Sequence, residues 1–230
     1  MDNNFILIAR SVSKTFVNAH GEKLTVVKNA SLILEGGLIT AIYGPSGAGK
    51  STLLHILAGI EKPDDGAEIL IEGENIANMS EKKLSDFRNK KIGLVFQFHY
   101  LLPEFTALEN VMMPMLIAGD SFNKAEQKAR VLLDLVGMNY RANHKPAELS
   151  GGEQQRLSIA RALANDPKII FADEPTGNLD SANSEAISKL FIDLKISLKK
   201  TFLIVTHNKD LISLADRSFE MRDGVLNCKF

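Results

Sequence analysis

The chain has 230 residues, which suits one large domain or a core that carries a subdomain. Its composition, 45% hydrophobic and 24% charged, is that of an ordinary globular protein, and a net charge of −1 argues against bulk attraction to nucleic acid or anionic lipid. The single cysteine, Cys228, excludes an internal disulfide and fits a reducing compartment.

The start of the chain, residues 1–4, lacks the basic and apolar regions of a signal peptide. No run of 18 apolar residues exists, since the best candidate, residues 107–119, is interrupted by Glu109, Asn110 and Pro114. We therefore expect any membrane role to come through a partner protein.

Short apolar runs between glycine and proline turns predict strands over residues 5–9, 24–34, 38–43, 68–71, 92–96, 168–173 and 201–206. Asn123 and Glu126 resemble a capping box that opens a helix running to about Val136, which Gly137 would end. Another helix is predicted over residues 181–199. This alternation predicts an α/β fold with a mostly parallel sheet covered on both faces and a helical insertion.

A glycine-rich loop follows the third predicted strand and precedes leucines at helical spacing, which is the setting of a phosphate-binding loop. Glycines let backbone N–H groups approach crowded phosphate oxygens, and the positive end of the following helix adds attraction. Lys50 would reach the β- and γ-phosphates, and the Ser51 hydroxyl would ligate Mg²⁺. The predicted ATP-binding residues of this loop are Gly44, Pro45, Ser46, Gly47, Ala48, Gly49, Lys50, Ser51 and Thr52.

A second glycine-rich segment opens a later helix. Ser150 and Glu153 have capping-box spacing, so a well-capped helix would explain both residues. Gly151 and Gly152 weaken a helix start, however, and a glycine-rich helix N-terminus also binds anions.

Two carboxylates follow the apolar strand at residues 169–172, where open α/β sheets bind ligands. Asp173 would belong to the Mg²⁺ shell, and Glu174 would orient and deprotonate the attacking water. A solvated acidic loop would explain the pair alone, but not the pair together with the glycine-rich loop. His207 ends another such strand, so it could donate a hydrogen bond to the γ-phosphate.

These segments together resemble the ABC ATPase family. Residues 149–153 resemble its LSGGQ signature, with Glu153 in place of the usual glutamine, and Gln97 matches the Q-loop, which implies Mg²⁺ contact and partner sensing. Asp180 matches the D-loop, where alanine is commoner than Asn178, and Phe16 stands where an aromatic ring, more often tyrosine, stacks on adenine. The resemblance makes His207 the switch histidine and implies a head-to-tail homodimer in which the glycine loop of one copy and Ser150–Glu153 of the other enclose each ATP.

The segment from Gln97 to Val111 and residues 141–146 resemble more narrowly the lipoprotein-releasing, or Lol-type, ATPases. This family has a P-loop NTPase fold: a RecA-like core, an antiparallel β subdomain and an inserted helical subdomain. The resemblance implies a single domain over residues 1–230, with the core and β subdomain in residues 1–97 and 160–230 and the helical subdomain in residues 98–159. It also implies a peripheral location at the cytoplasmic face of the bacterial inner membrane. There the segment from Gln97 to Val111 would contact integral permease subunits, with His99 as one expected contact.

Other functions stay open from the sequence. Macrolide exporters and the cell-division ATPase share residues 173–180, so they are alternatives within the same fold. A soluble ABC protein acting on DNA or ribosomes is disfavoured, because no long coiled coil separates Gln97 from Ser150 and only one ATPase domain is present. A small-molecule kinase would leave the second glycine segment unexplained. We therefore expect no nucleic acid partner.

Overall fold

The structure is a computed structural model that describes residues 5–229; the signal-peptide prediction on residues 1–4 lies outside this range. The strands are β1 (Phe5–Val17), β2 (Lys23–Glu35), β3 (Ile39–Tyr43), β4 (Glu68–Ile71), β5 (Glu74–Asn75), β6 (Ile92–Val95), β7 (Ile169–Asp173), β8 (Thr201–Val205), β9 (Arg217–Arg222) and β10 (Val225–Lys229). The α-helices are α1 (Lys50–Leu57), α2 (Glu81–Lys91), α3 (Ala107–Ile117), α4 (Phe122–Leu135), α5 (Gly151–Ala162), α6 (Ser181–Leu198) and α7 (Lys209–Leu214).

The strands form two sheets. An antiparallel sheet has the order β2-β1-β4-β5, and a larger sheet has the order β10-β9-β3-β8-β7-β6. In the larger sheet all pairings are parallel except that of β9 with β10. The prediction of a mostly parallel sheet is therefore confirmed, and the antiparallel sheet lies beside it.

Alternate residues of the central strands enter two different hydrophobic cores. Ile170 and Ala172 of β7 pack with helices α3 to α6, whereas Ile169 and Phe171 pack with α1 and the antiparallel sheet. All four residues are at most 1% exposed. Because successive side chains of a strand point to opposite faces, the central sheet is buried on both faces, as its continuous apolar runs predict.

Some boundaries differ from the predictions. The apolar run that predicts a strand over residues 5–9 covers only the first part of β1. The strand continues to Val17 through register shifts near Ser11, whose φ is 53°, which mark a bulge. Helix α4 begins after Ser121, which makes no side-chain capping bond, so the predicted capping box at Asn123 is wrong. Gly137 follows the helix with a φ of 70°, which confirms it as the stop.

The sheet gathers the predicted site at one edge. Gly44 follows β3, Gln97 follows β6, Glu174 follows β7 and His207 follows β8. These four strands are parallel neighbours, so their carboxyl ends meet at the edge where open α/β sheets bind ligands. Helix α5 runs through to Ala162, across the predicted subdomain boundary at residues 159 and 160. Among residues 5–229, no helix is long and apolar enough to span a bilayer.

Candidate nucleotide-binding site

A cleft of about 590 Å³ opens at this edge of the sheet. It is lined by Val26, Gly44, Ser46, Gly47, Ala48, Gly49, Lys50, Ser51, Thr52, Gln97, Glu174 and His207. The structure thus brings together nearly the whole predicted phosphate loop with Gln97, Glu174 and His207, which are predicted to contact Mg²⁺, water and the γ-phosphate. Val26, from the antiparallel sheet, is a lining residue that the sequence analysis missed, because nothing in a half-exposed strand valine marks it as part of a site.

The phosphate loop has a backbone that only glycine adopts without strain at its last turn. Gly49 is the N-cap of α1 with a φ of 98°, and a Cβ there would lie 2.5 Å from the carbonyl oxygen of Val26. Lys50 Nζ donates to the carbonyl oxygens of Gly44 and Pro45, both at 3.0 Å. An ammonium has three N–H donors, so Lys50 keeps one for an anion in the cleft.

A hydroxyl and a carboxylate meet beside the loop. The Ser51 hydroxyl donates to Asp173 Oδ1 at 2.9 Å. Burial raises the pKa of Asp173, and the hydrogen bond from Ser51 opposes that shift. A cation bound beside this carboxylate would stabilise its charged form. Within the described range no cluster of three or more histidine, cysteine or acidic side chains could cage a metal. Two hard oxygen ligands at a phosphate site fit Mg²⁺, which keeps several waters and binds substrate phosphates.

Glu174 holds a strained backbone conformation at the end of β7. Its φ is 44°, in the left-handed region that non-glycine residues rarely occupy. Its carboxylate accepts a hydrogen bond from the His207 backbone nitrogen at 3.2 Å, and His207 Nδ1 lies 2.9 Å from the same oxygen, Oε2. The two residues therefore form one unit at the cleft wall, and the predicted contact of His207 with phosphate stays a prediction.

Gln97 lies between the cleft and the loop after β7. Its side-chain Nε2 donates to Asn178 Oδ1 at 3.0 Å, and Asn178 Nδ2 donates back to the Gln97 carbonyl at 3.4 Å. This reciprocal pair fixes the side chain that the sequence analysis assigns to Mg²⁺.

Three predicted nucleotide contacts lie outside the cleft of this copy. Phe16 is 41% exposed, with the Lys14 ammonium 5.0 Å from its ring centre. Asp180 caps α6 through the backbone nitrogen and amide of Asn183, both at 2.8 Å. The segment Ser150–Glu153 opens α5 and does not line the cleft either.

The start of α5 carries the predicted capping box. Ser150 Oγ accepts from the Glu153 nitrogen at 3.3 Å, and Glu153 Oε2 accepts from the Ser150 nitrogen at 2.8 Å. The other carboxylate oxygen accepts from Tyr140 and from Arg141 Nε, both at 2.9 Å. The backbone bond from Ser150, and then the Arg141 and Tyr140 donors, lower the pKa of Glu153 to about 2. The glutamate of this signature is therefore ionised, and its charge is paired with Arg141.

The Arg141–Glu153 pair predicts a pH-dependent stability difference. The folded pKa of Glu153 lies below its unfolded value, so the stabilisation is full above about pH 4.5 and is lost as the pH falls towards 2. We expect Arg141→Ala to lower the free energy of unfolding slightly at pH 7, since both side chains are partly exposed, and by less at pH 3. Urea titrations at both pH values measure this, with Tyr140→Phe as the variant that removes one donor but no charge. An equal loss at both pH values would contradict it.

Two further residues near the site, His99 and Arg161, have surroundings that the sequence does not show. His99, predicted to face a membrane partner, is only 7% exposed, and its Nε2 lies 3.2 Å from the carbonyl oxygen of Gly151. Burial, and then the charge of Arg161, lower the pKa of its imidazole. Arg161 also donates to the backbone carbonyls of His99 and Tyr100, both at 2.6 Å. The loop after Gln97 is thus attached to α5, the helix that Ser150 caps.

Comparison with known proteins agrees with this geometry. Residues 27–177 match the ABC transporter family. The lipoprotein-releasing system ATP-binding protein LolD of Bacteroides fragilis is 53% identical over 201 residues, which cover 87% of this chain and 93% of the relative. The LolD protein of Cytophaga hutchinsonii is 48% identical over 221 residues, 96% of this chain and 98% of the relative.

Among solved structures, the ATP-binding cassette MJ0796 is similar in a dimeric post-hydrolysis state bound to ADP and Pi. Its TM-score is 0.88 at 38% identity, with 96% of each chain covered. The likeness confirms the predicted P-loop fold of ABC ATPases, and with it the binding and hydrolysis of ATP. The chain is a member of the ABC transporter family and an ATPase of that family.

Proposed function

We propose that this chain is the ATPase subunit of a membrane complex that releases lipoproteins from the bacterial inner membrane. The observation that supports the proposal is the separation of two glycine-rich helix starts in one chain: α1 opens at the cleft, and α5 opens outside it. The release of lipoproteins is taken from relatives named for it, which match this chain nearly end to end.

The separation of the two helix starts supports a head-to-tail homodimer. The α5 start presents exposed Ser150 and Gly151, while Glu153 below them is held by Arg141. A Cβ on Gly152 would collide with the Asn183 side chain, so α5 packs directly against α6 near Asp180. In the proposed dimer, Ser150–Glu153 and Asp180 of one copy complete the nucleotide site of the other. The solved MJ0796 relative is dimeric.

The residues of the cleft divide the chemistry among them. Lys50 and the N-terminus of α1 bind the phosphates, and Phe16 contacts the base. Glu174 takes the proton from the attacking water, and His207 holds the Glu174 carboxylate in place. Ser51, Asp173 and Gln97 would hold Mg²⁺, which would neutralise charge on the phosphate oxygens.

A surface for the membrane subunits follows Gln97. We name it the aromatic loop, residues 98–105, because Phe98 is 69% and Tyr100 64% exposed. Exposed aromatic side chains are enriched in protein interfaces. The loop follows Gln97 directly and is attached through Arg161 to α5, so a subunit docked on it would be linked through the loop to both halves of the proposed ATP site. The chain would then be peripheral at the cytoplasmic face of the inner membrane.

Replacing one exposed aromatic side chain tests the proposal in cells. In bacteria depleted of this chain, lipoproteins destined for the outer membrane should accumulate in the inner membrane. The parent chain should restore their distribution, and Phe98→Glu should fail to restore it, because a charge on the aromatic loop disfavours docking. Fractionation of the two membranes on a density gradient measures the distribution.

Phe122→Glu is the matched control, because Phe122 is 59% exposed at the start of α4, outside the aromatic loop. It should restore lipoprotein distribution like the parent, and both variants should bind ATP normally. Normal lipoprotein distribution in the depleted cells, with a defect in drug export or septation instead, would replace the proposed cargo with one of the alternatives.

A further inference from the structure

His55 is a half-buried residue, its side chain 33% exposed, that the mechanism above does not use. It lies on α1 four residues after Ser51, so the two side chains share one face of the helix. His55 Nε2 lies 3.5 Å from Asp173 Oδ2, while Ser51 Oγ lies 2.9 Å from Oδ1 of the same carboxylate. Helix α1 therefore approaches both oxygens of Asp173, one with each side chain.

The nitrogen that faces Asp173 has no other acceptor in the described part of the chain. His55 Nε2 is buried and makes no hydrogen bond there, and the 3.5 Å distance to Asp173 exceeds that of an ordinary hydrogen bond. A buried donor without an acceptor carries an energetic cost. A shift of a few tenths of an ångström towards Oδ2 would remove this cost.

The surroundings restrict how the imidazole can turn. The Phe96 ring lies against it, with centroids 6.0 Å apart and planes inclined by 59°. The Asp173 side chain is only 14% exposed, so solvent has little access to the contact. Phe96 precedes Gln97, and the imidazole is thus placed between the end of β6 and the end of β7.

We propose that His55 is a positioning residue that binds Oδ2 of Asp173 and keeps Oδ1 directed to Ser51 and the metal site. A carboxylate held at one oxygen cannot rotate away from its ligand position, and side chains in this role commonly change metal affinity 10–100-fold. The inference rests on the proposed Mg²⁺ role of Ser51 and Asp173. The sequence gives His55 no such role, since a single histidine in a helix is more often structural.

Two amide variants separate positioning from packing. In His55→Gln the amide nitrogen can occupy the place of Nε2, whereas in His55→Asn it ends one atom short. The affinity of the purified chain for ADP is measured by calorimetry in EDTA and over a series of free Mg²⁺ concentrations. We expect His55→Asn to require about 10-fold more Mg²⁺ for the same gain in affinity. Its affinity in EDTA should be unchanged, and His55→Gln should stay within about 3-fold of the parent.

The outcomes distinguish two failures. If the parent shows no gain in ADP affinity with Mg²⁺, the proposed metal role of Ser51 and Asp173 is wrong. If the parent gains affinity and His55→Asn gains it at the same Mg²⁺ concentration, only the His55 inference is wrong. Equal loss in both amide variants, loss that appears in EDTA as well, or unfolding of both variants would show that His55 serves packing of α1 and would overturn the proposal.

Discussion

Glu174→Gln is expected to bind ATP like the parent chain and to hydrolyse it ~10²–10⁴-fold more slowly, a barrier increase of roughly 3–5 kcal/mol. The amide keeps the size of the side chain and an oxygen that can accept from the His207 backbone nitrogen, now 3.2 Å from the carboxylate. It removes the basic oxygen that would take the proton from water. Single-turnover phosphate release measures the rate, and equilibrium ATP titration measures binding.

Glutamine is a suitable replacement for Glu174 because the strained backbone at this position should not change. Its φ of 44° costs energy in any non-glycine residue, and glutamine meets the same cost, so the loop geometry should persist. Glu185→Gln is the control, since Glu185 is an exposed carboxylate on α6 and should leave the rate unchanged. Parent-like turnover in Glu174→Gln would assign the base to another residue.

His207 offers a second comparison at the same site. Its imidazole Nδ1 lies 2.9 Å from Glu174 Oε2, yet its side chain is 70% exposed, so it can turn towards the cleft without opening the core. His207 could hold Glu174 or contact phosphate, and in either role its position is set by the end of β8. The structure supports the first arrangement directly, and the second needs a side-chain rotation.

The position of the site could be predicted because each part is local in sequence. A glycine loop after β3 and paired acids after β7 are visible as short patterns, and parallel strands place their carboxyl ends at one edge. The order of the strands in the sheet was not needed for this. It was enough that all four strands are parallel and buried on both faces.

The remaining elements depend on tertiary contacts that short patterns do not show. Helix α2 buries only Leu84 and Phe87 among charged residues, so its periodicity is weak. Strands β9 and β10 have mixed polarity; β10 is the edge strand of the larger sheet, and β9 lies next to it. The contacts of Arg141 with Glu153 and of His55 with Asp173 join residues 12 and 118 positions apart. No local rule selects such partners among the many charged residues of the chain.

Ser150→Arg is expected to abolish the ATP-driven dimer while leaving ATP binding by the isolated chain intact. Ser150 is exposed and lies outside the cleft, so the bulk and charge of arginine should not reach the nucleotide bound by the same copy. In the proposed dimer the same side chain would face the phosphates of the other copy, where an arginine would displace the close backbone contact. Size-exclusion chromatography with ATP in the Glu174→Gln background measures the dimer, since slow hydrolysis preserves it.

Two controls separate the interface from the helix cap. Ser150→Ala removes the capping oxygen at a cost of about 1 kcal/mol without added bulk, and it should weaken the dimer far less than arginine does. Ser197→Arg adds the same side chain at the exposed end of α6 and should leave the dimer intact. If the Ser150→Arg chain still dimerises with ATP, the start of α5 does not close a second copy's site. The two glycine-rich helix starts would then need separate explanations, with the Glu153–Arg141 pair serving only the stability of α5.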